Sequence, residues 1–204
     1  FKGHMFANEK ATVTWNRHVA FNGASYPTII RQLSNLDLKA FDAVGAQTAA
    51  SVSAFDNVEQ LSVPADSSTV LKVSAEGNFD PNVATERFAL ATQENFVEAT
   101  GPSAIASWFK FPSSGFLAPF ALRVTVTNNG DLPFFNATAT LANYIVVSGQ
   151  NPTTIGTLAP GQSVQINWTV RRMIQSGNVR ANVTVASTSF GEAWNWVLTA
   201  PNPP

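Results

Sequence analysis

The chain has no cysteine, which excludes a disulfide framework, a thiol nucleophile and any cysteine-ligated zinc site. Charge is scarce: Asp, Glu, Lys and Arg make up 12% of the 204 residues, against about 25% in ordinary soluble domains. A formal net charge of -1 and a pI near 6.1 leave no basic field to gather phosphates, so nucleic acid is not an expected partner. Long apolar runs are missing too. Stretches such as Tyr144-Ile145-Val146-Val147 fall far short of the ~18 to 20 residues of a transmembrane helix, and no membrane span is expected. His4 and His18 are the whole supply of imidazole, and neither stands in an HExxH or related ligand spacing, so neither a metal nor another cofactor is expected. There is no Gly-x-Ser-x-Gly elbow, no phosphate-cradling glycine loop and no Asp-x-Asp-x-Asp-Gly calcium loop, and the chain reads as a non-enzyme.

What is present is a composition 45% hydrophobic and 11% aromatic, enough to bury a core without covalent staples. Ser, Thr, Asn and Gln supply the polarity that charge does not. That surface suits a secreted protein, and a chain that starts at Phe1 without an apolar leader suits one whose signal peptide has been removed. The expected location is extracellular, at the cell surface.

Hydrophobic periodicity predicts an all-β fold. From Lys10 to Asn22, residues Ala11, Val13, Trp15, Arg17, Val19 and Phe21 share one face, which predicts a single extended N-terminal strand. Leu36 to Val44, Val58 to Val63 and Thr69 to Ser74 read as further strands. Asp80-Pro81 is an N-cap signal for one short helix over 81–99, although Phe88, Leu90 and Thr92 alternate equally well as a strand. Gly101-Pro102 and Pro112 to Gly115 punctuate an aromatic stretch, Trp108, Phe109, Phe111, Phe116 and Phe120, that reads as a loop between sheets. Beyond Phe120 the alternation sharpens: Leu122 to Val126, Ala137 to Val147, Val164 to Val170, Val179 to Ala186 and Ala193 to Leu198 are strands, with Asn128-Asn129-Gly130-Asp131 as a hairpin turn. The expected organisation is an extension over 1–22, a β-rich region over 23–117 and an antiparallel β-sandwich of immunoglobulin-like or jelly-roll type over 118–204, which could be continuous with 23–117.

Two segments carry a resemblance. Val124-Thr125-Val126-Thr127-Asn128-Asn129-Gly130 leads to Asn136-Ala137-Thr138-Ala139-Thr140-Leu141, and Ile155-Gly156-Thr157-Leu158-Ala159-Pro160-Gly161-Gln162-Ser163-Val164 leads to Ile166-Asn167-Trp168-Thr169-Val170. In these, residues 118 to 199 resemble the CARDB-type family of immunoglobulin-like modules of bacterial and archaeal surface proteins, such as a pilus-like filament subunit would contain. The resemblance implies fold and location more than chemistry.

Three groups of residues are candidates for function. Ala11, Val13, Trp15, Val19 and Phe21 would be the inserted side chains if the N-terminal strand were donated to a neighbouring copy, giving a homopolymeric filament. Trp194 and Trp196, behind Glu192, share a strand face and could stack on sugar rings in a carbohydrate-binding or adhesive module; the competing reading makes that face the core. Asn136, Asn167 and Asn182 head acceptor sequons for N-glycans, with Asn167 and Asn182 out of phase with their apolar neighbours. Glu94 and Glu98 read as a solvated face rather than an acid/base pair.

Overall fold

The structure, a computed structural model, describes residues 1–20, 29–30, 33–77, 79–80, 83–111, 118–173 and 180–201, without the side chains of 19, 20, 29 and 30. It is all-β and antiparallel, with no helix among the described residues. The chain divides into two compact units, Phe1–Glu98 and Ala99–Pro204.

In the first unit, β1 (Lys2–Met5), β5 (Leu36–Phe41), β6 (Gln47–Ser51) and β8 (Ser67–Ala75) form one sheet in the order β1-β8-β5-β6. The second sheet, β7-β2-β9, contains β2 (Lys10–Trp15), β7 (Val58–Ser62) and β9 (Phe88–Ala91). Two short strands, β3 (Val19–Ala20) and β4 (Ile29–Ile30), pair with each other. Alternation decides what is buried: Ala11, Val13, Leu38, Ala40 and Leu71 lose all contact with solvent, and Met5, Leu61 and Val63 complete the cluster. The single extended N-terminal strand is therefore not what forms. β2 ends at Trp15, and a break over 16–18 precedes β3, while residues 21 and 22 lie outside the described residues. The segment before it adds a strand of its own, because Gly3 and His4 pair with Thr69 and Ser68. The expected helix over 81–99 is likewise replaced by β9, whose Ala89 and Leu90 pair with Thr14 and Val13. The capping signal at Asp80-Pro81 is local, and pairing with β2 overrides it.

The second unit is a sandwich of two four-stranded sheets. One contains β10 (Ala104–Lys110), β11 (Phe120–Asn128), β13 (Tyr144–Ser148) and β15 (Ser163–Arg172) in the order β10-β11-β15-β13. The other contains β12 (Phe134–Ala142), β14 (Thr153–Leu158), β16 (Asn182–Ser189) and β17 (Glu192–Thr199) in the order β14-β12-β16-β17. The triplets β10-β11-β15 and β12-β16-β17 follow the pairing order of an immunoglobulin-type sandwich. Val124, Val126, Phe134, Ala137, Ala139, Val170, Val183 and Val185 are wholly buried between the sheets, and each side chain of valine size or larger contributes about 1.5–3 kcal/mol. Trp168, also in this core, donates its indole N–H to the Gln150 carbonyl at 2.9 Å.

Three expectations are corrected here. Of the aromatic stretch taken for a loop, Trp108 and Phe109 belong to β10, a regular edge strand in which they lie opposite Val124 and Arg123, and Phe120 opens β11, while Phe116 lies outside the described residues. The strand expected over 137–147 is two strands that join different sheets, divided at Asn143, whose φ of 70° bends the chain. Asn128 to Asp131 is not a hairpin turn but the corner by which the chain passes from β11 in one sheet to β12 in the other.

Candidate functional site

The residues expected to form a donated strand lie inside the first unit's own core. Ala11 and Val13 are wholly buried and Trp15 nearly so, and Ala11 and Val13 face Leu61 and Glu59 of β7. The indole N–H of Trp15 donates to the Ser34 carbonyl at 2.7 Å, which ties its ring to the segment leading into β5. Val19 sits in β3 opposite Ile30, and Phe21 lies outside the described residues.

Around this core, most buried polar groups are committed to backbone and to one another; Glu59, 2% exposed, accepts from the Ser51 hydroxyl on one oxygen and leaves the other without a hydrogen-bond partner. Glu9 accepts hydrogen bonds from the backbone N–H groups of Phe6, Gln93 and Glu94 at 2.9, 3.0 and 3.1 Å. The Glu86 carboxylate, whose side chain is 4% exposed, accepts from the Ser34 hydroxyl at 2.9 Å and meets His18 Nε2 at 2.9 Å. Ser34 is fully buried, so this serine, glutamate and histidine hold a loop together and present no accessible nucleophile. His4 is exposed and lies edge-on to Phe6. Among the described residues, no three His, Cys, Asp or Glu side chains gather around a space for a metal ion. Glu94 and Glu98 are exposed and not helical.

The second unit has two poles. At one, Asn128 is completely buried at the inter-sheet corner and its amide donates to the Leu132 and Leu158 carbonyls, both at 2.9 Å. Beside it the Asp131 carboxylate accepts from the Thr100 and Gly101 N–H groups. Trp194 and Trp196 lie at this pole with rings nearly parallel, at 8°, and centroids 6.0 Å apart. Their register places them opposite Ser187 and Val185, on the inward face of β17. Trp196 packs on Phe134 at 4.9 Å, and Trp194 lies so close over Gly101 that a Cβ there would come within 2.8 Å of the ring. Both are half-buried, so the pair caps the open end of the core, and much of each ring face is already covered. Glu192, the first residue of β17, is exposed.

At the opposite pole an open cleft of about 190 Å³ lies among Trp108, Lys110, Phe120, Tyr144 and Arg180. Tyr144 meets Phe120 edge-on at 5.7 Å, and the Lys110 ammonium stands 4.9 Å over the Phe120 ring. Burial among these rings, and secondly the neighbouring Arg172 charge, push the Lys110 ammonium below the usual lysine range. Sequence reading missed this cleft because Trp108 and Lys110 were assigned to a loop. Two signals were present: the alternation of Ala104, Ala106, Trp108 and Lys110, and the uneven distribution of charge. Beyond Glu98 only Asp131 and Glu192 are acidic, against five basic residues, Lys110, Arg123, Arg171, Arg172 and Arg180.

The sequons fall in unlike places. Asn136 is exposed at a bulge in β12, with φ of 50°. Asn167 is exposed on the outer face of β15 and accepts a hydrogen bond from Arg123 Nε at 3.2 Å. Asn182 is half-buried, and its side-chain oxygen is shielded from solvent without a hydrogen-bond partner, so the alternation that pointed it outward exposes it only in part. No known family matches the chain, and no curated protein is detectably similar to it.

Proposed function

We propose that the chain is a structural, non-catalytic component of an extracellular assembly. The observation that carries this reading is the use made of buried polar groups: the side chains of Glu9, Glu86 and Asn128 hold backbone or neighbouring side chains in place, as does the half-buried Asp131. Enzymes instead leave such groups aimed into a cleft with shifted pKa values. The low charge of the surface adds to this, since weakly charged copies repel each other little at contact.

The route by which copies would join is transfer of the N-terminal segment. β1 is an edge of one sheet and β2 the centre of the other, so a neighbour's residues 1 to 15 would fill both places through the same main-chain hydrogen bonds. The test is a variant lacking residues 1 to 21, with and without a synthetic peptide of residues 1 to 22, followed by circular dichroism and negative-stain electron microscopy. The expected result is a variant whose first unit folds only when the peptide is added, and regular filaments from the intact chain. A variant that folds unaided, or a peptide that restores nothing, removes strand transfer. Uniform monomers of the intact chain across pH and calcium remove the assembly itself.

A second reading, sugar binding by Trp194 and Trp196, draws on their parallel rings at a strand edge. Trp194→Ala would then abolish binding to polysaccharide while leaving the melting curve in place. A large loss of stability instead assigns Trp194 to the core alone.

A further inference from the structure

We propose that the cleft around Lys110 binds the carboxylate-bearing ring of an acidic sugar, a uronic acid unit of a polysaccharide. This goes beyond the structural role and is independent of it. Four observations converge on it. The volume, about 190 Å³, suits one ring rather than an extended chain. Trp108 and Tyr144, both half-buried, supply flat apolar surface beside the buried Phe120, on which the C–H face of a sugar ring packs. Lys110 and Arg180 bring positive charge to the same small space, and Arg172 stands close enough to repel Lys110. Finally, both acidic residues of the unit lie at the other pole: Asp131 follows the corner at Asn128, and Glu192 pairs with Ser189, whereas Lys110, Tyr144 and Ala181 lie at the far ends of their sheets.

Each feature alone selects a different ligand. A neutral sugar would use the rings without drawing on the positive charge of Lys110, while a bare anion would use that charge and leave the rings uncovered. A ring that carries a carboxylate uses both, and the planar guanidinium of Arg180 matches a carboxylate edge. Nucleic acid fits poorly, because the charge converges on one small cleft and forms no stripe for successive phosphates. An incoming carboxylate would also relieve the condition of Lys110, whose ammonium is held among apolar rings beside another cation.

Calorimetric titration of the full chain with oligogalacturonate, glucuronate, glucose and acetate tests this. The expected order is oligogalacturonate at least as tight as glucuronate, with glucose and acetate each weaker by about tenfold or more, and with affinity falling as salt rises. Lys110→Met keeps an apolar stem over Phe120 and should weaken uronate binding about tenfold or more without moving the melting temperature. In the intact chain affinity should also fall as pH rises through the lowered pKa of Lys110, and this fall should vanish in Lys110→Met. Glucose or acetate binding as well as glucuronate overturns the proposal. So does undiminished uronate binding by folded Lys110→Met, or no binding of any uronate at millimolar concentration.

Discussion

Asn128 bonds two carbonyls that no strand can satisfy. Leu132 lies just past the corner and Leu158 ends β14, and with only one side-chain amide between them, both depend on the same residue. Asn128→Ala leaves two buried acceptors unpaired, each costing about 1–3 kcal/mol, so a loss of roughly 2–5 kcal/mol is expected in denaturant unfolding of the second unit. Asn128→Asp should be nearly as damaging, since a carboxylate accepts but cannot donate. A loss below about 1 kcal/mol for Asn128→Ala would mean that water replaces the amide. Gly130 belongs to the same corner: a Cβ there would stand 2.3 Å from the Gly101 carbonyl oxygen, and only glycine fits that approach. From sequence, Asn-Asn-Gly-Asp is simply a turn, because composition shows that the chain reverses but not which two sheets it joins.

At the scale of elements, β2 is the most exacting strand. It is hydrogen-bonded on both sides, to β7 and β9, and it supplies Ala11, Val13 and Trp15 to the core. Trp15→Ala removes a buried indole and the donor to Ser34, a change expected to cost about 3–5 kcal/mol. Against a total of about 5–15 kcal/mol for a whole domain, that should drop the first unit's melting transition by many degrees while the second unit's is unmoved. Equal loss in both would contradict their separate cores. Legibility follows the same physics. β5, β7, β8, β11, β15 and β16 stood out in the sequence because apolar residues on a buried face alternate with polar ones, and β17 because its half-buried Trp194, Trp196 and Leu198 alternate with exposed neighbours. β10 did not, because outward-facing Ile105 and Phe109 are about half exposed and blur the alternation of Ala104, Ala106 and Trp108. β1 and β6 contain too few large apolar residues to show a period at all. At Trp194 and Trp196 alternation established a shared face, and only the register opposite Val185 and Ser187 shows that it is the inward one.

For the molecule as a whole, two cores within one chain mean two cooperative units. The second contains its own hydrophobic cluster and both of its sheets. A fragment of residues 99–204 is therefore expected to fold alone, with dispersed amide resonances and a single cooperative melt; a molten fragment would show that the first unit completes it. The boundary falls between Glu98 and Ala99, well before the position near 118 at which the sequence pattern sharpens, because β10 is continuous with the sandwich that follows. The separation of charge within that sandwich also has an effect at a distance. With Asp131 and Glu192 at one end and Lys110, Arg172 and Arg180 at the other, the second unit is an electric dipole directed along its strands. In the field of a negatively charged wall or gel it would turn before it touches, so that the cleft arrives first and the paired tryptophans trail.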